Sequence, residues 1–149
     1  MHRLPNTLLL AQLAATLFMT GLIWFVQIVH YPLFAEVGQP QFLRYSTLHA
    51  NRTTWVVFPP EVIELVTALA ALLPALRPSF LTQSESILSA ALVLCLWAST
   101  GLLQVPLHTR LANQPSPTVI RSLVRSNWLR TALWTARATL LLYSIPHPL

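Results

Sequence analysis

The chain has 149 residues, of which 54% are hydrophobic and 9% charged, far below the roughly one quarter of charged residues usual in soluble domains. That balance excludes a water-soluble surface, and the length suits a single domain, 1–149. The net charge of +5 rests on nine Arg, with no Lys or Asp and only Glu36, Glu61, Glu64 and Glu85 as acids; because several Arg lie beside or inside apolar segments, nucleic acid is not an expected partner.

A bilayer core of roughly 30 Å takes about 20 helical residues, and the first segment of that length runs from about 7 to 29, ahead of His30-Tyr31-Pro32. Although His2 and Arg3 precede it, it is longer than a secretory signal's apolar region and lacks a small-residue cleavage site, so it reads as a retained helix. A link with Gly38, Pro40 and Arg44 leads to an interfacial helical turn, about 45–55, and a kink at Pro59-Pro60, which membrane helices tolerate near a first turn. The second membrane helix spans about 60–76, placing Glu61 in its first turn, where the helix dipole favours an acid.

Arg77-Pro78-Ser79 turns the chain into a third helix, about 84–106. Its Cys95 sits in LVLCLW, so neither an intrachain disulfide nor a haem-attachment motif is available. The link HTRLANQPSPT precedes a fourth helix, about 121–143, whose pattern opens at Val119 and which Pro146 and Pro148 close. Short links make antiparallel neighbours, so the expected fold is all-α: an up-down-up-down bundle of four transmembrane helices with a short interfacial helix before the second. Arg44, Arg52, Arg110, Arg121 and Arg125 fall on one side of that bundle, against Arg3 and Arg77 on the other. The positive-inside rule then puts both termini outside the cytoplasm.

Residues three, four and seven apart share a helix face. On that spacing Thr16, Thr20, Trp24, Gln27 and Tyr31 line up on the first helix, Trp97, Gly101, Gln104 and His108 on the third, and Asn127, Arg130, Trp134 and Arg137, with Thr131 beside them, on the fourth. Glu61 and Glu64 are one turn apart, as are His49 and Arg52 before the kink. Hydrocarbon offers these groups no hydrogen bonds, so they are expected to face one another, converging on the cytoplasmic half. An Arg in mid-membrane costs about 2.5 to 3.5 kcal/mol on insertion scales; Arg130 and Arg137 therefore need partners, and Glu61 and Glu64 are the acids at their depth.

Each grouping has a functional and a structural reading. The acids and Arg residues form either a ligand or proton site or an ion-pair tie between helices. His30, His49 and His108, with Glu64, offer nitrogen and oxygen ligands for zinc, iron or copper, but there is no HExxH or Glu-x-x-His pair, and interfacial hydrogen bonding is the leading reading. Trp24, Trp97 and Trp134 either wall a flat aromatic ligand, such as a quinone or polycyclic phenol, or pack, while Trp55 and Trp128 sit at belt depth. No Ser-His-acid spacing, phosphate loop or dinucleotide fingerprint is present.

The segments WFVQIVHYPLF, FLRYSTLHANRTTWVVFPPEVIEL, QVPLH and LVRSNWLRTALWTARA together resemble a family of small bacterial four-helix integral membrane proteins, distantly similar to the anthrone-oxygenase-like domain. On this chain the resemblance falls on Gln27, His30, Tyr31 and Pro32; on His49, Arg52, Pro60 and Glu64; on Pro106 and His108; and on Asn127, Trp128, Arg130 and Arg137. Ser46, where another His is common, and Glu61, where an apolar residue is usual, depart from that pattern. The resemblance implies a bacterial inner membrane and a small hydrophobic, aromatic ligand, bound or oxidised. His49 or Glu64 is then the proton-transfer group, Arg130 and Asn127 hold an anionic oxygen, and Gln27, His30, Tyr31, Arg52, Glu61, Gln104, His108, Arg137 and the tryptophans complete the site. Oxidation of that kind needs little beyond deprotonation before dioxygen attacks, so a site without a cofactor suffices chemically. The competing expectation is a structural or accessory membrane protein whose polar residues lock the bundle.

Overall fold

Long apolar runs punctuated by proline give long helices whose hydrogen-bond ladders open where proline removes a donor. The computed structural model describes residues 3–145, so the expectations placed on His2, Pro146 and Pro148 lie outside the described residues. The helices are α1 (Arg3–Phe25), α2 (Gln39–Ala70), α3 (Gln83–Ser99), α4 (Val105–Asn113) and α5 (Pro117–Tyr143). A wide turn, Thr100–Gln104, joins α3 to α4 without a break. The fold is therefore all-helical with four rods, and no strand occurs among the described residues.

A second wide turn, Val26–His30, extends α1 into a tight turn at Pro32–Glu36. Both wide turns have one cause. Tyr31 N–H reaches back five residues to Val26 O, and Val105 N–H to Thr100 O, and in each case the next residue is proline, Pro32 or Pro106. A proline ring pushes away the carbonyl four residues earlier, and one extra residue in the turn makes the room. Proline thus redirects these two helices where the sequence reading ends them, and the stretch read as a link after Pro106 stays helical to Asn113.

The second rod differs from expectation in the same way. In place of an interfacial turn at 45–55 and a separate helix at 60–76, one helix runs from Gln39 through Pro59 and Pro60 to Ala70. It ends early because Pro74 has no donor and steers Leu73 away from helical geometry; Arg77 Nε then donates to Ala71 O at 3.2 Å, capping the end. Thr82 and Glu85 form a reciprocal capping box that starts α3, and Ser116 Oγ accepts from Val119 N–H to start α5. Each cap satisfies helix-end groups that are otherwise orphaned.

Rod α1 packs on α2 and α5, and α3 packs on the same two, so the four close a ring. Among the described residues the backbones do not approach closely across either diagonal; side chains bridge both. Gln12 Nε2 donates to Ser89 Oγ at 3.1 Å between α1 and α3, and Glu61–Arg130 and Glu64–Arg137 join α2 to α5. The main apolar core lies toward one end, where Phe34, Phe42, Leu111 and Leu123 are almost fully enclosed.

Leu4–Glu36, Gln39–Ala70 and Gln83–Asn113 are each long and apolar enough to cross a membrane. Large apolar side chains, among them Leu10, Phe18, Trp55, Val66 and Leu102, cover the outside of the rods, a surface suited to lipid and not to water. This is a membrane protein. At about 1.5 Å per residue the 32-residue α2 is about 48 Å long, more than the roughly 30 Å hydrocarbon core. The rod α5 carries Arg121, Arg125, Arg130 and Arg137 and does not meet the same apolar threshold.

Candidate functional site

The polar stripes fold into two groupings joined at Arg130. The deeper one is built on Glu64, whose Oε1 accepts from Thr16 Oγ1 and Arg137 Nη1 and whose Oε2 accepts from Trp134 Nε1 at 2.9 Å. Thr16 and Arg137 also bond directly. Arg137 and Trp134 are fully buried, so a charge that would be costly alone is neutralised by a partner on the opposite rod. Trp134 links this grouping to the next, since the Arg130 guanidinium lies over its ring, 4.9 Å from the centroid.

Arg130 in turn donates from Nη2 to Glu61 Oε1 and from Nη1 to Asn127 Oδ1, both at 3.3 Å. Asn127 Nδ2 donates to Gln27 Oε1 at 3.0 Å, and Gln27 Nε2 to the Val124 carbonyl at 3.2 Å. The Val26–His30 wide turn carries Gln27 against α5, so the chain of bonds runs from α2 through α5 to α1 and back. It fixes the guanidinium on two sides and leaves Arg130 Nε buried without a partner.

The second grouping is aromatic. His30 Nε2 and His49 Nδ1 share a hydrogen bond at 2.8 Å, and Thr53 Oγ1, one turn on from His49, lies 3.2 Å from the same Nδ1. Tyr31 OH and His108 Nε2 are 2.9 Å apart, and the His49 and His108 rings lie 5.3 Å apart. With the phenol proton given to His108 Nε2, the neutral ring carries its hydrogen on Nδ1, an atom that is buried and unpartnered.

Between the groupings lies a cavity of about 370 Å³, within the range of about 300–1,000 Å³ usual for ligand pockets. Its apolar wall includes Met19, Leu22, Ile23 and Val57, and its polar wall includes Tyr31, His49, Thr100, Gln104, His108 and Arg130. Four of these, Thr100, Gln104, His108 and Arg130, each hold a buried polar atom with no hydrogen-bond partner. Buried polar atoms are normally paired, and these four are enclosed by the surrounding side chains behind the cavity wall. A smaller hollow of about 230 Å³ lies on the other side of His49 and is edged by His30 and Arg52.

The structure thus brings His30, Tyr31, His49, Gln104, His108 and Arg130 together at or beside one cavity, with Glu61, Asn127 and Gln27 behind Arg130. Other expectations fall elsewhere. Glu64, Arg137 and Trp134 form the deeper tie and are not among the cavity walls, so Glu64 is separated from His49, with which the sequence reading pairs it. Arg52 is exposed. Trp24 donates to Thr135 Oγ1 at 3.1 Å on the outer surface, beside Trp128. Trp97 packs near Ala68 and Val93 on the lower part of α3, because the Thr100–Gln104 wide turn rotates it off the face that Gln104 and His108 share. Glu64 is likewise remote from the histidines as a fourth metal ligand, and no group of three metal-binding side chains with suitable geometry occurs among the described residues.

Several participants escape the stripe analysis. Thr53 positions His49, Ser126 accepts from Gln104 Nε2 at 3.0 Å, and Thr100 lines the cavity. Helical spacing offers the signal for two of them: Thr53 stands four residues after His49, and Ser126 four before Arg130. Ser46, where the resemblance favours His, is buried and donates to Leu111 O at 3.1 Å, so it ties α2 to α4.

Fold and site together define a membrane protein with a polar diagonal tie and a mostly apolar, partly open cavity. Compared with known proteins, the chain matches no family model, no curated protein and no solved structure.

Proposed function

We propose that this protein binds a small hydrophobic, aromatic molecule in the cavity between α1, α2, α4 and α5 and promotes its oxidation there. The observation that carries this reading is a cavity of about 370 Å³ that gathers the Tyr31, His49 and His108 rings and Arg130 beside the aliphatic side chains of Met19, Leu22, Ile23 and Val57, with Thr47, Asn51, Thr54 and Asn113 also in its wall. An aromatic ligand stacks on those rings, while its oxygen atoms meet the polar residues of the wall. His49 is the proton acceptor: its Nδ1 is engaged by His30 and Thr53, and its Nε2 carries no hydrogen bond among the described residues. Arg130, held by Glu61 and Asn127, stabilises charge that develops on the ligand oxygen. For an anthrone-type substrate, proton loss to His49 activates the ring carbon for attack by dioxygen, and release of water leaves the quinone.

In this reading all four rods cross the membrane as an up-down-up-down bundle. Two of the Arg residues on α5, Arg130 and Arg137, are buried against Glu61 and Glu64, so they burden the hydropathy of α5 without facing lipid. The first part of α2 stands in the interface, the cavity opens toward the cytoplasmic half of a bacterial inner membrane, and both termini lie outside the cytoplasm, as the Arg distribution favours. The likeness to the bacterial four-helix family stands as part of the same proposal.

The competing reading, a purely structural bundle, fits the Glu64–Arg137 grouping, whose carboxylate oxygens are both engaged. It leaves the cavity without a role. Oxygen uptake with anthrone separates the readings: protein in nanodiscs is expected to accelerate uptake over empty nanodiscs, and His49→Ala to lose about a hundredfold or more, the usual range for a general base. Equal uptake by wild type and His49→Ala removes the catalytic part of the proposal.

A further inference from the structure

We infer that the smaller hollow, between α1 and α2, is a binding site for one anionic phospholipid of the surrounding bilayer, with an acyl chain in the hollow and the phosphate on Arg52. The inference uses neither the larger cavity nor its proposed ligand.

Leu22, Phe25, Val26 and Val56 wall this hollow with hydrocarbon, and Arg52 borders it. Phe25 and Val56 are about half exposed, at 54% and 49%, so the hollow opens through the apolar outer surface that faces lipid. At about 230 Å³ it is smaller than the roughly 300–1,000 Å³ of small-molecule pockets, and its lining is almost wholly apolar. A length of acyl chain suits such a space, whereas a polar solute would lose its hydrogen bonds there.

Arg52 supplies the polar half of the site. A long cationic side chain lays its methylenes along apolar surface and keeps its head group out, so Arg52 borders an apolar hollow and is still exposed. It makes neither a hydrogen bond nor an ion pair among the described residues. Its depth matches a phosphate. Arg52 stands eighteen residues before Ala70, the end of α2, about 27 Å along the axis and close to the roughly 30 Å of the hydrocarbon core. Trp55, one turn on, is 83% exposed, and Trp24, next to Phe25 of the wall, is exposed beside Trp128; indoles collect where hydrocarbon meets headgroups. Charge then decides the headgroup. Exposed Arg44, Arg110, Arg121 and Arg125 flank Phe42, Leu111 and Leu123, which pack together at this end, and Glu36 is the exposed acid set against them. A choline headgroup brings a further cation into that field. An anionic headgroup does not, and the guanidinium fork holds two of its phosphate oxygens. One Arg beside an anionic lipid surface strengthens binding about fivefold.

The test is native mass spectrometry of the full chain released from detergent micelles that hold equal amounts of dioleoylphosphatidylglycerol and dioleoylphosphatidylcholine. The wild type is expected to keep one phosphatidylglycerol at least about fivefold more often than one phosphatidylcholine. Arg52→Gln, at an exposed and unpartnered position, brings that ratio to about one. Arg44→Gln and Arg125→Gln, which border neither hollow, leave it unchanged. Val56→Trp fills the hollow and lowers retention of phosphatidylglycerol with Arg52 still in place. Equal retention of the two lipids by the wild type overturns the inference. So does an equal loss in all three Arg variants, which is diffuse attraction to a basic face. A dimer in place of the lipid adduct, abolished by Arg52→Gln, also overturns it, because a second copy is then the occupant.

Discussion

Replacing Glu64 by Leu tests whether the deeper grouping is a structural tie. Glu64 accepts from Thr16, from Arg137 and from Trp134, and Arg137 is fully enclosed. The substitution strands a guanidinium charge in the bundle and leaves the indole N–H of Trp134 unpartnered. Breaking a buried pair from one side costs about 3–5 kcal/mol, and for a chain of this length each kcal/mol moves the melting midpoint by roughly 2–4 °C. Thermal unfolding in detergent should therefore fall by roughly 6–20 °C. The double variant Glu64→Leu/Arg137→Met removes both charges and should recover more than half of that loss, because a buried pair exchanged for apolar side chains is close to neutral. A single variant that melts within 2 °C of the wild type, or a double variant that falls by the sum of its singles, refutes the reasoning.

Pro106→Ala restores a backbone donor, so the Thr100–Gln104 wide turn is expected to tighten and rotate α4, with His108, relative to α3 by about 100°; affinity for 2-naphthol, an aromatic probe of the cavity, should drop about tenfold with no loss in melting temperature. Topology is checked with single cysteines in a Cys95→Ser background and a membrane-impermeant maleimide. Ser79→Cys and Ser144→Cys should label from one face and Gln114→Cys from the other, whereas Ser144→Cys labelling with Gln114→Cys shows that α5 does not cross.

The α5 stripe was the most legible part of the sequence. Asn127, Arg130, Trp134 and Arg137 are buried along one face, and hydrocarbon allows Arg no other arrangement. That Glu61 and Glu64 serve as the partners of Arg130 and Arg137 follows from the same argument, because the chain has no other acids at that depth; which acid takes which Arg comes from the structure. The readings that strayed did so at prolines. Pro32 and Pro106 read as helix ends under the local rule, but the chain widens each turn and continues, and neighbouring rods supply the packing that makes the wider turn affordable. That single extra residue also shifts Trp97 off the stripe with Gln104 and His108, which is why Trp97 reads as a cavity wall in the sequence. Ser126, Thr53 and Thr100 were missed for another reason: hydroxyl residues commonly bond their own helix backbone, so the four-residue spacing of Thr53 from His49 and of Ser126 from Arg130 is a weak signal, and Thr100 has none.

The cavity carries the functional account, and filling it is the most direct trial. Ala50 lines the hollow on α2, and only its backbone carbonyl, which accepts from Thr54 Oγ1, takes part in polar bonds there, so Ala50→Trp places an indole in the space the ligand needs. Dialysis of 2-naphthol should show saturable binding to the wild type and at least a tenfold loss in Ala50→Trp, with the melting temperatures of the two proteins within a few degrees. Equal affinity in both, at equal stability, means that the ligand sits outside this cavity and contradicts the account.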